Sequence, residues 1–171
     1  IWLTLVQAGY LKSFADPFNG CITKETIINA VDNLSQIVFE TTTMCNLRCE
    51  YCCYGDGYIT FDARKKQSGH LKFETAKSII DYISDIFKKQ EISSSPSEPF
   101  AISFYGGEPL MNFSVVKQIV EYAENIEFRN KILSFTMTSN ATMLAKYADF
   151  LQAHKFKMLI SLDGDKTHHA Y

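Results

Sequence analysis

From Gln36 onward the chain alternates short apolar, β-branched runs with stretches in which apolar residues recur every three or four positions. That is the pattern of strands alternating with amphipathic helices. Gln36–Thr42 predicts a first strand. Phe73, Ala76, Ile79, Ile80, Ile83, Ile86 and Phe87 then form one stripe, with Lys77, Asp81, Asp85 and Lys88 opposite, which predicts a helix ending before the polar connector Ser93–Pro99. Phe100–Tyr105 predicts a second strand, and the helix expected over 113–126 carries Val116, Ile119, Val120 and Ala123 on one side. Leu133, Phe135 and Met137 alternate with Ser134, Thr136 and Thr138, so a third strand over 132–138 has one apolar and one polar face. A helix over 144–154 and a fourth strand, Lys157–Leu162, end at Asp163-Gly164.

The fold class this predicts is α/β, with four parallel βα units. Upstream, Ile1–Gln7 predicts a strand and Thr23–Leu34 a helix with Ile27, Ile28, Val31 and Leu34 on its apolar side. We therefore divide the chain into a short N-terminal segment, 1–34, and a core domain, 35–171. In such a sheet every strand-to-helix loop leaves from the same end, where active sites are built. Each strand here ends in a polar or glycine-bearing segment: the long loop Thr43–Leu71, then Gly106-Gly107-Glu108, Ser139-Asn140 and Asp163-Gly164.

Composition narrows the function. With 171 residues and 46% hydrophobic content the chain can bury one ordinary core. Its 17 Lys and Arg against 19 Asp and Glu give a net charge of -2, which supplies no field for nucleic acid or an anionic membrane. No apolar run approaches a membrane span, and Ile1–Val6 lacks the basic flank of a signal peptide. Five cysteines, an odd number, fit a reducing compartment better than a secreted disulfide framework. The expected location is the cytoplasm.

Three of those cysteines carry the chemistry: Cys45, Cys49 and Cys52, in the string Cys45-Asn46-Leu47-Arg48-Cys49-Glu50-Tyr51-Cys52 after the first strand. Thiolates this dense in such a chain read as metal ligands. A structural zinc site uses four ligands, usually as two separated pairs, and no second pair follows. An iron–sulfur cluster held by only three cysteines keeps one iron free for another ligand.

This string, Tyr105-Gly106-Gly107-Glu108-Pro109-Leu110 and Ser161-Leu162-Asp163-Gly164 together resemble the motifs of radical S-adenosylmethionine (radical SAM) enzymes, over about Ser35–Tyr171. Within that family the chain is most similar to the SPASM-type maturases of ribosomally made peptides. The resemblance implies a partial (β/α) barrel in which Cys45, Cys49 and Cys52 hold a four-iron four-sulfur (4Fe-4S) cluster. It implies that S-adenosyl-L-methionine binds the open iron and is cleaved reductively to methionine and a 5′-deoxyadenosyl radical, which abstracts hydrogen from a peptide or protein. It places Tyr51 near the adenine, Gly106 and Gly107 along the methionine moiety, and the Glu108 region at its ammonium group. Asn140 and Ser161 are candidates for the ribose and carboxylate, or for structural roles at strand ends. It also implies an external low-potential electron donor. No catalytic residue is assigned.

Anaerobic sulfatase-maturating enzymes are the near alternative, and an iron–sulfur electron carrier or a zinc-binding module is the alternative from another class. Cys21 and Cys53 read as thiols without a chemical role. His168 and His169 read as a solvated loop, His70 and His154 as surface residues near helix termini, Asp163 as a turn cap, and Tyr54 and Tyr58 as pocket or packing aromatics. The family's barrels use about six βα units, so the four readable here predict a truncated core that does not turn over by itself.

Overall fold

In the computed structural model, residues 24–49, 51–52, 69–89 and 98–164 are described. They form α1 (Lys24–Asp32), β1 (Gln36–Thr42), α2 (Phe73–Lys89), β2 (Glu98–Gly106), a 3-10 turn (Pro109–Asn112), α3 (Phe113–Ala123), β3 (Lys131–Ser139), α4 (Leu144–Ala153) and β4 (Lys157–Ile160). The chain divides into two compact units, Ile1–Asn33 and Leu34–Tyr171. Only α1 is described in the first, and the strand expected over Ile1–Gln7 lies outside the described residues.

In the second unit the four strands lie in sequence order and pair in parallel. Parallel neighbours require a crossover, and the helices supply it. The register carries one row across the whole sheet, Phe39 beside Phe104, Phe104 beside Met137 and Met137 beside Met158. Side chains alternate faces along a strand, so this row and its parallels, Phe100, Ile102 and Phe135, all reach the buried face. Over it lie Ala76, Ile80, Ile83 and Phe87 of α2, Val115, Val116, Ile119 and Val120 of α3, and Leu151 of α4. Burying one face of each amphipathic helix and one face of the sheet holds the layers together. Phe87, Phe100 and Phe128 meet with ring centroids 5.2 to 6.4 Å apart, and the Lys131 ammonium sits 5.0 Å over the Phe87 ring.

The structure departs from the sequence expectations mostly at boundaries. Ile79 is exposed, because it lies at the margin of a stripe centred on Ala76, Ile80, Ile83 and Phe87. Ser84 takes a buried place instead, its hydroxyl donating to the Glu127 carbonyl at 2.9 Å. Helix α3 stops at Ala123, not 126, because the Asn125 and Ile126 amides close tighter turns onto Tyr122 and Ala123. Strand β4 ends at Ile160, two residues before the expected Leu162; beyond it, the Ser161 amide still donates to the Ser139 carbonyl at 3.0 Å. Strands β2 and β3 are longer than expected, Glu98–Gly106 and Lys131–Ser139, and the Lys131 ammonium pairs with Glu98 at 2.8 Å where they start. His154 is half-buried against Phe150 and contacts Glu124 at 2.7 Å, whereas His70 is exposed and its backbone bridges Thr42. Among the described residues no helix is long and apolar enough to cross a membrane.

Asp81 of α2 accepts from Lys77 and from the Tyr122 hydroxyl of α3, and these two donors, Lys77 first, hold its carboxyl below the usual range. A lowered carboxyl pKa contributes stability above the unfolded value that is lost as pH falls through the folded one. Asp81→Asn should therefore flatten part of the acid limb of the stability–pH curve measured by denaturant unfolding. In the core, Phe87→Ala should cost about 3–5 kcal/mol of unfolding free energy, the range for a buried phenylalanine truncated to alanine.

Candidate functional site

The carboxyl ends of β1, β2, β3 and β4 surround a cavity of about 320 Å3. Parallel pairing in sequence order accounts for this, because it delivers all four loops to one edge. Cys45, Cys49 and Cys52 line the cavity, and so do Tyr51, Gly106, Gly107, Asn140 and Ser161. Glu108, the remaining residue that the resemblance assigns to the cofactor, is not among the lining residues. Leu47, Tyr105, Thr138 and Ser139 join the lining. Thr138 was legible as part of the polar face of β3, and Leu47 and Tyr105 lie within the quoted motifs, though no role was read for either.

The cysteine loop is held from below by main chain. Thr42 ends β1 after a register shift between Glu40 and Thr42, and its carbonyl accepts from the Gly107 amide at 2.8 Å. Two residues on, the Met44 carbonyl accepts from the Glu108 amide at 2.8 Å. The glycines make this approach possible. A Cβ on Gly106 would lie 2.4 Å from the Thr42 oxygen, and one on Gly107 would lie 2.1 Å from the Met44 oxygen. Gly106 also has φ +126, a conformation that side-chain-bearing residues rarely adopt. The space a side chain would need is thus filled by the cysteine loop's own backbone.

Glu108 faces inward, 1% exposed. Its Oε1 accepts from the Leu110 amide at 3.1 Å and the Ser139 hydroxyl at 2.9 Å, and its Oε2 accepts from the Asn140 amide at 2.8 Å. A buried carboxylate is tolerated only when so satisfied. The side chain therefore caps the 3-10 turn after β2 and pins the corner after β3. Ser139 passes the connection on, accepting from the Ala141 amide at 3.0 Å.

Side-chain hydrogen bonds at two places bind the cysteine loop to the loops after β3 and β4. Asn46 donates to the Thr142 hydroxyl at 2.7 Å and accepts from Asn140 Nδ2 at 2.9 Å, while the second Nδ2 hydrogen of Asn140 points at Cys45 Sγ, 3.6 Å away. The Tyr51 hydroxyl donates to Asp163, beyond β4. The bond to that carboxylate, then desolvation and the neighbouring Cys49 thiol, raise the phenol's pKa above its ordinary value. Asp163, read from the sequence as a turn cap, accepts from Tyr51. Tyr51 itself is well exposed. Cys21, Cys53, Tyr54, Tyr58, His168 and His169 lie outside the described residues.

Cys45, Cys49 and Cys52 are free thiols, and the Cys52 amide donates to the Cys49 carbonyl at 3.1 Å in a tight turn. Among the described residues no three His, Cys, Asp or Glu side chains converge on one point as the ligands of a single ion. The three thiols line one cavity; an iron–sulfur cluster held there would take one thiolate on each of three irons.

The profile of the radical SAM superfamily matches residues 39–169. An uncharacterised protein of Methanocaldococcus jannaschii is 31% identical over 135 residues, which cover 78% of this chain and 40% of that protein. The radical SAM cyclopropyl synthase TigE of Paramaledivibacter caminithermalis is 26% identical over 146 residues, covering 84% of this chain and 30% of its own. Among solved structures, anSMEcpe with bound AdoMet and the Cp18Cys peptide superposes with a TM-score of 0.60 at 23% identity, over 80% of this chain and 33% of that one. This chain therefore spans well under half the length of the relatives it matches.

Replacing one oxygen of the buried carboxylate by an amide should misplace a donor against Asn140 or Leu110. Glu108→Gln is expected to cost about 1–3 kcal/mol in denaturant unfolding, as for a buried donor left unpaired. A value near zero would show that the three bonds to Glu108 do not hold the corner.

Proposed function

The chain belongs to the radical SAM superfamily, and from that premise we propose that its cavity holds a 4Fe-4S cluster and S-adenosyl-L-methionine and serves the modification of a peptide or protein. The observation that carries this reading is the convergence of Cys45, Cys49 and Cys52 with Tyr51, the Gly106-Gly107 backbone and Ser161 on one cavity. The donor set fits: three soft thiol ligands suit iron–sulfur chemistry, and their number leaves one iron without a protein ligand. When bound, the two groups supply reductive cleavage of the sulfonium and a 5′-deoxyadenosyl radical able to take hydrogen from an unactivated carbon.

The chain's own residues bind, orient and shield. Cys45, Cys49 and Cys52 are the cluster ligands. Gly106 and Gly107 keep the cysteine loop seated on β2, and Glu108 keeps the wall after β3 rigid from behind, acting as a positioning residue. Tyr51, tied to Asp163, stands at the mouth of the cavity, where an aromatic ring can cover the adenine. Ser161 and the Gly107 backbone face the space left for the methionine part and the sugar. Free thiol ligands and an external low-potential electron donor call for a reducing compartment, the cytoplasm. The peptide class of substrate is supported by the sequence resemblance to peptide maturases and by the superposed anSMEcpe, which was solved with a peptide.

Anaerobic reconstitution of the full chain tests the ligand set. Cys45→Ala, Cys49→Ala and Cys52→Ala should each lose most of the bound iron and sulfide, and Cys53→Ala should keep them. A Cys53→Ala protein without a cluster would overturn the assignment. For the substrate class, mass spectrometry of a candidate peptide incubated with the complete enzyme should show a small defined mass change that disappears in Cys49→Ala. Turnover confined to a free metabolite would reject it.

A further inference from the structure

Asn140 reads from the sequence as a contact for the ribose or carboxylate of the cofactor or as a structural residue at a strand end, and in the structure its amide has partners within the protein. Oδ1 accepts from the Thr142 amide at 3.0 Å and from the Thr142 hydroxyl at 2.6 Å. A main-chain N–H can only donate, so the atom facing it is the oxygen, and the amide orientation is settled by chemistry. The nitrogen then faces the cysteine loop. One of its hydrogens goes to Asn46 Oδ1 at 2.9 Å and the other to Cys45 Sγ at 3.6 Å, a normal length for a sulfur acceptor. The circuit closes without conflict, since the Thr142 hydroxyl donates to Asn140 and accepts from Asn46 Nδ2 at 2.7 Å. All four hydrogen-bonding positions of the Asn140 amide are in use within the protein.

Cys45 Sγ receives a second donor, the Leu47 amide at 3.4 Å. Two N–H groups on one sulfur draw electron density from it. If that sulfur ligates iron, they stabilise the more negative, reduced cluster relative to the oxidised one, and hydrogen bonds to the sulfurs are among the terms that set a cluster's potential. We propose that Asn140, locked by Thr142 and Asn46, is a positioning residue that hydrogen-bonds the Cys45 sulfur and raises the reduction potential of the cluster, easing its reduction by an external donor. The proposal rests on the reading of Cys45 as a cluster ligand. It gives the loop after β3 a part in electron delivery.

The full chain is reconstituted anaerobically as wild type, Asn140→Ala, Thr142→Val and Cys45→Ala. Iron and sulfide are assayed, S-adenosyl-L-methionine affinity is measured, and the midpoint potential is read by redox titration followed by electron paramagnetic resonance. Asn140→Ala should keep its iron and show a potential shifted to more negative values, so that at the wild-type midpoint only a minor fraction is reduced. Thr142→Val, which leaves the amide in place but unlocks it, should shift the same way by less. An unchanged potential in a cluster-bearing Asn140→Ala protein overturns the proposal. So does a fall in cofactor affinity at unchanged potential, which would return Asn140 to the cofactor. Should Asn140→Ala lose its cluster, Thr142→Val decides: a lowered potential supports the proposal, while an unchanged one, or loss of the cluster there too, overturns it and leaves the network a scaffold. Cys45→Ala separates the two readings, because a full cluster in that variant removes the ligand assignment itself.

Discussion

Two main-chain hydrogen bonds, Gly107 to Thr42 and Glu108 to Met44, seat the cysteine loop on the end of β2, and the geometry of the cavity follows from them. They form only because the backbones come closer than any side chain at Gly106 or Gly107 would permit. The first continues the parallel ladder for one residue past the strand, and the second carries it into the loop itself. A segment whose register is set by the sheet in this way needs no packing of its own to be positioned. That matters for thiols that are exposed or half-buried, because their side chains contribute little burial with which to hold the loop in place.

Glu108 extends the same order sideways. Its carboxylate lies out of water with three donors around it, and removing any one would leave charge or a buried amide uncompensated. Such a group stabilises little relative to an apolar core, but it is intolerant of rearrangement, so the loops after β2 and β3 are coupled. Through Ser139 and Asn140 the coupling reaches Asn46 and Cys45. The loop that opens the cavity is thereby fixed from β2 by backbone and from β3 by side chains.

The arrangement also explains why the candidate site falls at one end of the sheet. All helices of the second unit that are described pack against the face carrying Phe39, Phe104 and Met137, and every crossover returns the chain to the opposite end. The polar row Tyr105 and Thr138 stands on the other face and meets the cavity. A strand pattern that is apolar on one side and polar on the other serves the core and the site at once.

Much of this was legible beforehand. Periods of two and of three to four residues identified the described strands and α-helices of the second unit, because burial of one face imposes them directly on the sequence. The three-cysteine string and the glycine pair announced the site, since their spacing reflects local chain geometry. Element ends were misplaced where they depend on turn hydrogen bonds, as at Ala123 and Ile160. What only the tertiary structure decided is the work of the polar side chains. Glu108 is buried against Leu110, Ser139 and Asn140, Asn140 bonds Asn46 and Cys45 through its amide, and Tyr51 finds Asp163, 112 residues away along the chain. Local patterning records which face of an element is apolar, but a hydrogen bond between distant loops leaves no periodicity in either of them, and its partners are chosen only when the sheet brings those loops together.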